Sequence, residues 1–271
     1  MSQFVNFSLI FLIATLTATF GQDCPCTPTT LCDPILNTTR QEIFAFVLPC
    51  TNATWIKFDW KKLTTIVLCD FYDAALYCHA KQNGVRVVNL AGYAADDLLD
   101  KGKRQQWTLS QMLEAKNKHL DGVNIDFEDP IDKNSTDLQD ALSALVRETA
   151  DAFHAHSPYL QVTFDVPFAP LNVLGDGVDG RNYDFLQIAK SCDFLFVMSY
   201  DQRSQVFLED RNRKCIAQAN SDVYVAWSGV QGFLDMGINA SQLVFGQVSL
   251  QCTLFKIAND FLTFHFHFRR K

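Results

Sequence analysis

The sequence carries no basic cluster large enough to neutralise a phosphate backbone: 23 Lys and Arg stand against 30 Asp and Glu, for a formal net charge of -7. That balance argues against a nucleic-acid partner. Past residue 20 no apolar run is long enough to cross a bilayer, so a bundle of membrane helices is excluded. Neither an internal repeat nor a low-complexity tract interrupts the chain. The clustered Cys24, Cys26 and Cys32 lack the paired short gaps of a zinc site, and no His follows nearby. No metal and no cofactor is expected.

What is present fits one sizeable core: 271 residues, 48% hydrophobic and 20% charged. Residues 4–20 are apolar or hydroxylic apart from Asn6 and hold no charge, and the small Gly21 precedes a plausible cut at Gln22. This predicts a secretory signal peptide over residues 1–21, although its first residues lack Lys or Arg, and a single domain over residues 22–271. Nine cysteines then imply disulfides with at least one thiol left over. The sequons at Asn37, Asn52, Asn134 and Asn239 are expected to carry glycans on surface loops. A monomer that enters the secretory pathway is the expected product.

Short β-branched or aromatic runs alternate with amphipathic stretches. Strands are predicted at residues 42–48, 64–69, 85–90, 122–128, 161–167, 193–200 and 243–248, and helices at 72–82, 108–119, 137–156 and 183–190. Leu138, Ala141, Leu142, Leu145, Val146, Thr149 and Phe153 form the clearest helical stripe. Repeated strand and helix at this length predicts an α/β fold, the (β/α)8 barrel, whose active site lies at the C-terminal strand ends.

The segment LDGVNIDFED, residues 120–129, puts polar side chains where a parallel strand should be apolar. With period two, Val123, Ile125 and Phe127 share one face, while Asn124, Asp126 and Glu128 share the other. Same-face neighbours sit about 7 Å apart, so Asp126 and Glu128 feel each other's charge. Two further strands end on candidate residues. Asp165 lies in QVTFDVPF, and Met198, Ser199, Tyr200 and Asp201 close DFLFVMSYD.

DGVNIDFE, residues 121–128, resembles the D-G-x-[DN]-x-D-x-E signature of family-18 glycoside hydrolases, and VMSYD, residues 197–201, is similar to that family's sixth-strand segment. DCPC at 23–26, QVTFDV at 161–166 and CDFLFVMSYD at 192–201 resemble a lysosomal member in order and spacing. The likeness runs from residue 23 to 246 and then fails. It implies a retaining glycosidase that cleaves the β-1,4 bond in the N,N'-diacetylchitobiose core of oligosaccharides, with the sugar's acetamido oxygen as nucleophile. By the same resemblance Glu128 is the general acid, Asp126 holds the acetamido N–H and Tyr200 binds the acetamido oxygen. Asp121, Asn124, Met198 and Asp201 are expected to support the substrate, and Asp165 joins them by position alone. A non-catalytic chitinase-like carbohydrate-binding protein is the alternative; loss of Glu128 would have favoured it.

After LVFGQV, residues 243–248, the family would continue through a helix and an eighth strand carrying a Trp beneath the sugar. Here the sequence reads SLQCTLFKIANDFLTFHFHFRRK. Residues 261–268 alternate like a strand, but the interval before them is barely long enough for a right-handed crossover with its helix. His265 and His267 share one face of that run without a third ligand nearby. The expectation is about seven strands, a missing eighth, two open edges and little or no activity.

Overall fold

The computed structural model describes residues 23–37, 41–202, 219–248 and 262–266, the last five through their backbone alone. The expected signal peptide, His267, Cys215 and Cys252 lie outside the described residues. Seven strands run parallel in sequence order: β1 (Phe44–Val47), β2 (Thr65–Leu68), β3 (Arg86–Ala91), β4 (Gly122–Ile125), β5 (Gln161–Pro167), β6 (Phe194–Met198) and β7 (Leu243–Val248). The parallel eighth strand is missing among the described residues, as expected. The two open edges are not there, which corrects that part of the reading.

β8 (Leu262–Phe266) runs antiparallel between β7 and β1, with Phe245 opposite Phe266 and Val47 opposite Leu262, and closes the barrel. The crossover argument against residues 261–268 applies only to a parallel strand. An antiparallel partner needs the chain merely to turn back.

The helices lie outside: α1 (Asn52–Trp55), α2 (Ala74–Gln82), α3 (Lys101–Asn117), α4 (Thr136–His156), α5 (Phe185–Ser191) and α6 (Val223–Asp235). α4 buries the predicted stripe from Ala141 to Phe153 against the strands. α3 starts a full two turns before the expected residue 108, because Asp100 caps it by accepting from Gly102 and Lys103 amides while its first turns are too polar to show a period. α6 was not among the expected helices. Ala226, Val230, Phe233 and Leu234 line one face of it, and Asp222 caps it through the Tyr224 and Val225 amides. Gly229 lets α6 touch the end of β5, since a Cβ there would lie 1.9 Å from the Phe168 carbonyl oxygen.

Alternation along the strands divides the core in two. Residues such as Ile66, Val87, Val123, Ile125 and Phe164 face the helices, and Phe44, Val67, Val88, Phe194, Phe196 and Val244 fill the barrel. Inside, Phe44 meets Phe194 edge-on at 5.3 Å between centroids. Met198 and Tyr200 pack on top of this plug, so it forms a floor under the C-terminal mouth.

The cysteine-rich start is stapled by Cys24–Cys32 and Cys26–Cys78, the second tying it to α2. Those bonds remove the three clustered thiols from any metal role. Cys69 and Cys192 are buried free thiols; the odd count called for at least one. Burial and the nearby Asp165 push Cys69 up to about 12, which leaves it unreactive. Asn37, Asn52, Asn134 and Asn239 are all exposed.

Candidate active site

β4 ends at Ile125, three residues short of the predicted 122–128. Asp126 and Glu128 therefore stand just beyond the strand, at the C-terminal end of the barrel, with buried Phe127 turned to the helices between them. The start of the motif serves a different end. Gly122 adopts φ of 151°, and a Cβ there would sit 1.9 Å from the Gln161 carbonyl oxygen, so only glycine lets β5 pair this closely.

Asp121 is corrected from substrate contact to support. It lies at the N-terminal end of β4, buried, with Oδ1 2.6 Å from Lys81 Nζ and Oδ2 accepting the Val87 amide at 2.9 Å. Its odd number also puts Asp121 out of step with Asp126 and Glu128 along the strand.

Of the even-numbered residues, Asn124 lies within β4, and Asp126 and Glu128 follow it past the strand end. Asn124 Nδ2 donates to Thr163 Oγ1 at 2.8 Å and to Asp165 Oδ1 at 2.9 Å, bridging β4 to β5 beneath Asp126. Asp126 is half-buried, and its Oδ1 is shielded from solvent with no hydrogen-bond partner among the described residues. Burial first, then the charge of Glu128, push the Asp126 carboxyl up to about 6, with Arg181 opposing. Burial and then Asp126 raise Asp165 well above the carboxylate range, against the hydrogen bond from Asn124.

Tyr200 shares this field. Burial, then Asp165, Asp126 and Glu128, hold its hydroxyl firmly protonated, so it is available as a donor. Met198 lies beside it at the end of β6, opposite Pro167 of β5. Asp201 leaves the strand with a left-handed φ of 51° and an exposed side chain, its amide held by Asn220 Oδ1 at 3.1 Å.

Glu128 is 48% exposed at the side chain and pairs with Arg181, Nη2 to Oε1 at 2.9 Å. Sequence reasoning missed this residue and its neighbours. Arg181 Nε donates to the Glu128 carbonyl at 3.0 Å, Asn182 Nδ2 to that of Ile131 at 2.8 Å, and the Tyr183 hydroxyl to that of Asp129 at 2.6 Å. Three consecutive side chains thus fix the loop that carries Glu128. Residues 181–183 precede α5 in an irregular segment, where no periodicity signals a role.

These carboxyls set a pH dependence of stability. A carboxyl whose folded pKa exceeds its unfolded value of about 3.9 binds more protons folded than unfolded, so stability falls as pH rises between the two. For Asp126 that window runs from about 3.9 to about 6, and Asp165 extends it upward. His154, raised by its hydrogen bond to Asp193, acts in the same sense, since its stabilisation is lost as pH rises through the folded value. Thermal melting is expected at a higher temperature near about pH 5 than near about pH 7, with a smaller difference in Asp126→Asn. Melting that rises over that interval would contradict these shifts.

Carboxyl groups and a tyrosine gather at the C-terminal strand ends of a closed barrel, the end where barrel enzymes place their active sites. The chain belongs to the glycosyl hydrolases family 18, whose profile matches residues 36–250. It is 38% identical over 246 residues to di-N-acetylchitobiase of Rattus norvegicus, covering 91% of this chain and 64% of that protein. With di-N-acetylchitobiase of Homo sapiens it shares 39% over 226 residues, covering 83% and 55%. The chain spans about three fifths of the length of the curated relatives it matches. Among solved structures, a class V chitinase from Nicotiana tobaccum in complex with NAG4 superposes with a TM-score of 0.60 at 15% identity, covering 77% of this chain and 68% of that one. A GH18 chitinase from Cycas revoluta in complex with (GlcNAc)3 gives 0.56 at 17%, covering 76% and 68%. These two likenesses bear on the fold, a TIM barrel.

Proposed function

We propose that this protein is a glycosidase that hydrolyses the β-1,4 bond of the N,N'-diacetylchitobiose core of oligosaccharides, with retention and substrate assistance. The observation that carries the reading is the buried Asp126 Oδ1, a carboxylate oxygen without a partner among the described residues, set between Glu128 and Asp165. An acetamido N–H is a donor suited to it. Its binding turns the acetamido oxygen toward the anomeric carbon, and the Tyr200 hydroxyl donates to that oxygen and fixes its approach.

In the first step the acetamido oxygen bonds to the anomeric carbon as the glycosidic C–O bond breaks. Glu128, standing at the open mouth, gives its proton to the leaving oxygen. The oxazolinium so formed is positively charged, and Asp126 is the carboxylate nearest to stabilise it. Water then attacks the anomeric carbon from the face that the leaving group vacated and yields its proton to Glu128. The acetamido group is restored and the configuration retained. Asn124 and Asp165 support Asp126 from below, while Met198 and Asp201 line the mouth. The exposed sequon asparagines and the two disulfides support passage through the secretory pathway, with residues 1–21 as its signal, to a lysosomal or secreted monomer.

The purified chain is expected to release N-acetylglucosamine from di-N-acetylchitobiose, at a rate that rises as Asp126 ionises toward about pH 6. Turnover should be weak, because β8 carries no Trp to place beneath the sugar. A substrate with a 2-hydroxyl in place of the acetamido group should resist hydrolysis, and a thiazoline analogue should inhibit. Efficient cleavage of the 2-hydroxyl substrate, or a glycosyl group trapped on a carboxylate, would replace substrate assistance by the two-carboxylate scheme.

A further inference from the structure

We propose that Arg181 is the positioning residue of Glu128, one guanidinium holding both its main chain and its carboxylate at the rim of the barrel; this rests on the reading of Glu128 as the general acid. The need for such a device follows from where β4 stops. The ladder to β3 ends with the Asp126 amide on the Ala91 carbonyl at 3.0 Å, two residues before Glu128, yet a proton donor must be placed to within a fraction of an ångström.

Arg181 supplies that placement with its two donor edges. Nε takes the Glu128 carbonyl at 3.0 Å and Nη2 the Oε1 at 2.9 Å, so the residue is gripped at both ends. The guanidinium is itself buried: its side chain is 6% exposed, against 48% for the carboxylate it holds. Asn182 and Tyr183 lock the flanking carbonyls of Ile131 and Asp129, and the Ile131 amide donates back to the Gly180 carbonyl at 2.9 Å. A lysine would keep the charge at this point but lose the planar fork.

The guanidinium also acts beyond its contacts. The groups within its field are Glu128, Asp126 and Asp165 from the strand ends and the Tyr183 hydroxyl beside it. Its positive charge lowers the proton affinity of Asp126 and Asp165, opposing burial and their mutual repulsion. Position and protonation are therefore separable by substitution. Arg181→Gln removes the charge, whereas Arg181→Lys keeps the charge and removes the fork.

On di-N-acetylchitobiose, Arg181→Gln is expected to lower kcat about tenfold or more with KM changed less than about threefold, and to move the pH–rate profile upward by about half a unit or more. Arg181→Lys should lose kcat comparably with an unmoved profile. Tyr183→Phe, which disturbs the same loop without touching Glu128, should lose less and keep the profile. Independently of turnover, carbon-13 titration of the Asp and Glu carboxyls should show the Asp126 midpoint, about 6, moving up in Arg181→Gln.

Wild-type kinetics in Arg181→Gln overturn the proposal. So do equal losses with one shared pH profile in all three variants, which mark loop packing alone, or an unmoved Asp126 titration. An inactive Glu128→Gln beside a normal Arg181→Gln defeats the positioning role only. A Glu128→Gln that turns over normally defeats the reading of Glu128 itself.

Discussion

Glu128→Gln is expected to lower turnover on di-N-acetylchitobiose by at least about a hundredfold while the melting temperature stays close to that of the wild type. The amide has the size of the carboxyl and no proton to give. Its structural cost is expected to be small, because the Gln amide oxygen can still accept from Arg181 Nη2, the partner of this side chain among the described residues. The Glu128 carbonyl still accepts from Arg181 Nε, so the loop keeps its other anchor. Loss of activity without loss of stability is the signature of a group that acts in the transition state. Wild-type turnover in this variant, measured beside its melting curve, would remove the assignment.

Much of this site was legible because a parallel barrel imposes a strict rule on strands. Both faces are covered, so a polar residue at an alternate position stands out, and Asn124, Asp126 and Glu128 stood out together. A second rule, that barrel sites lie where strands finish, singled out Asp165 in β5, buried along its whole length, and Met198 and Tyr200 at the end of β6. What escaped was set by contacts distant in sequence. Glu128 is placed by Arg181, 53 residues away, in a loop whose hydrogen bonds go to carbonyls and leave no pattern in the side chains.

The closing of the barrel escaped for another reason. Expecting a parallel eighth strand made the short interval after β7 look prohibitive, whereas the antiparallel β8 pairs with both neighbours. The first turns of α3, residues 101–106, carry no apolar side chain and so show no period, whereas α6 does carry an apolar face through Ala226, Val230, Phe233 and Leu234 and was legible in principle.

Asp121 tests whether the motif is one functional unit or two. Its carboxylate and the Lys81 ammonium are each 1% exposed and 2.6 Å apart. Oδ1 also accepts the Ile35 amide at 3.1 Å and Oδ2 the Val87 amide at 2.9 Å, while Lys81 has one further acceptor, the Asp33 carbonyl at 3.0 Å. Asp121→Ala would strand a buried ammonium and two amides at once. Removing one partner from such a pair costs about 3 to 5 kcal/mol, which for a chain of this size lowers the melting temperature by roughly ten degrees. The double variant Lys81→Met, Asp121→Leu should recover part of that loss, because it removes both charges together. In any folded fraction, kcat and KM should match the wild type, since Asp121 lies at the opposite end of β4 from Asp126 and Glu128. An Asp121→Ala protein that melts normally but binds substrate poorly would reverse the assignment and return Asp121 to the substrate site.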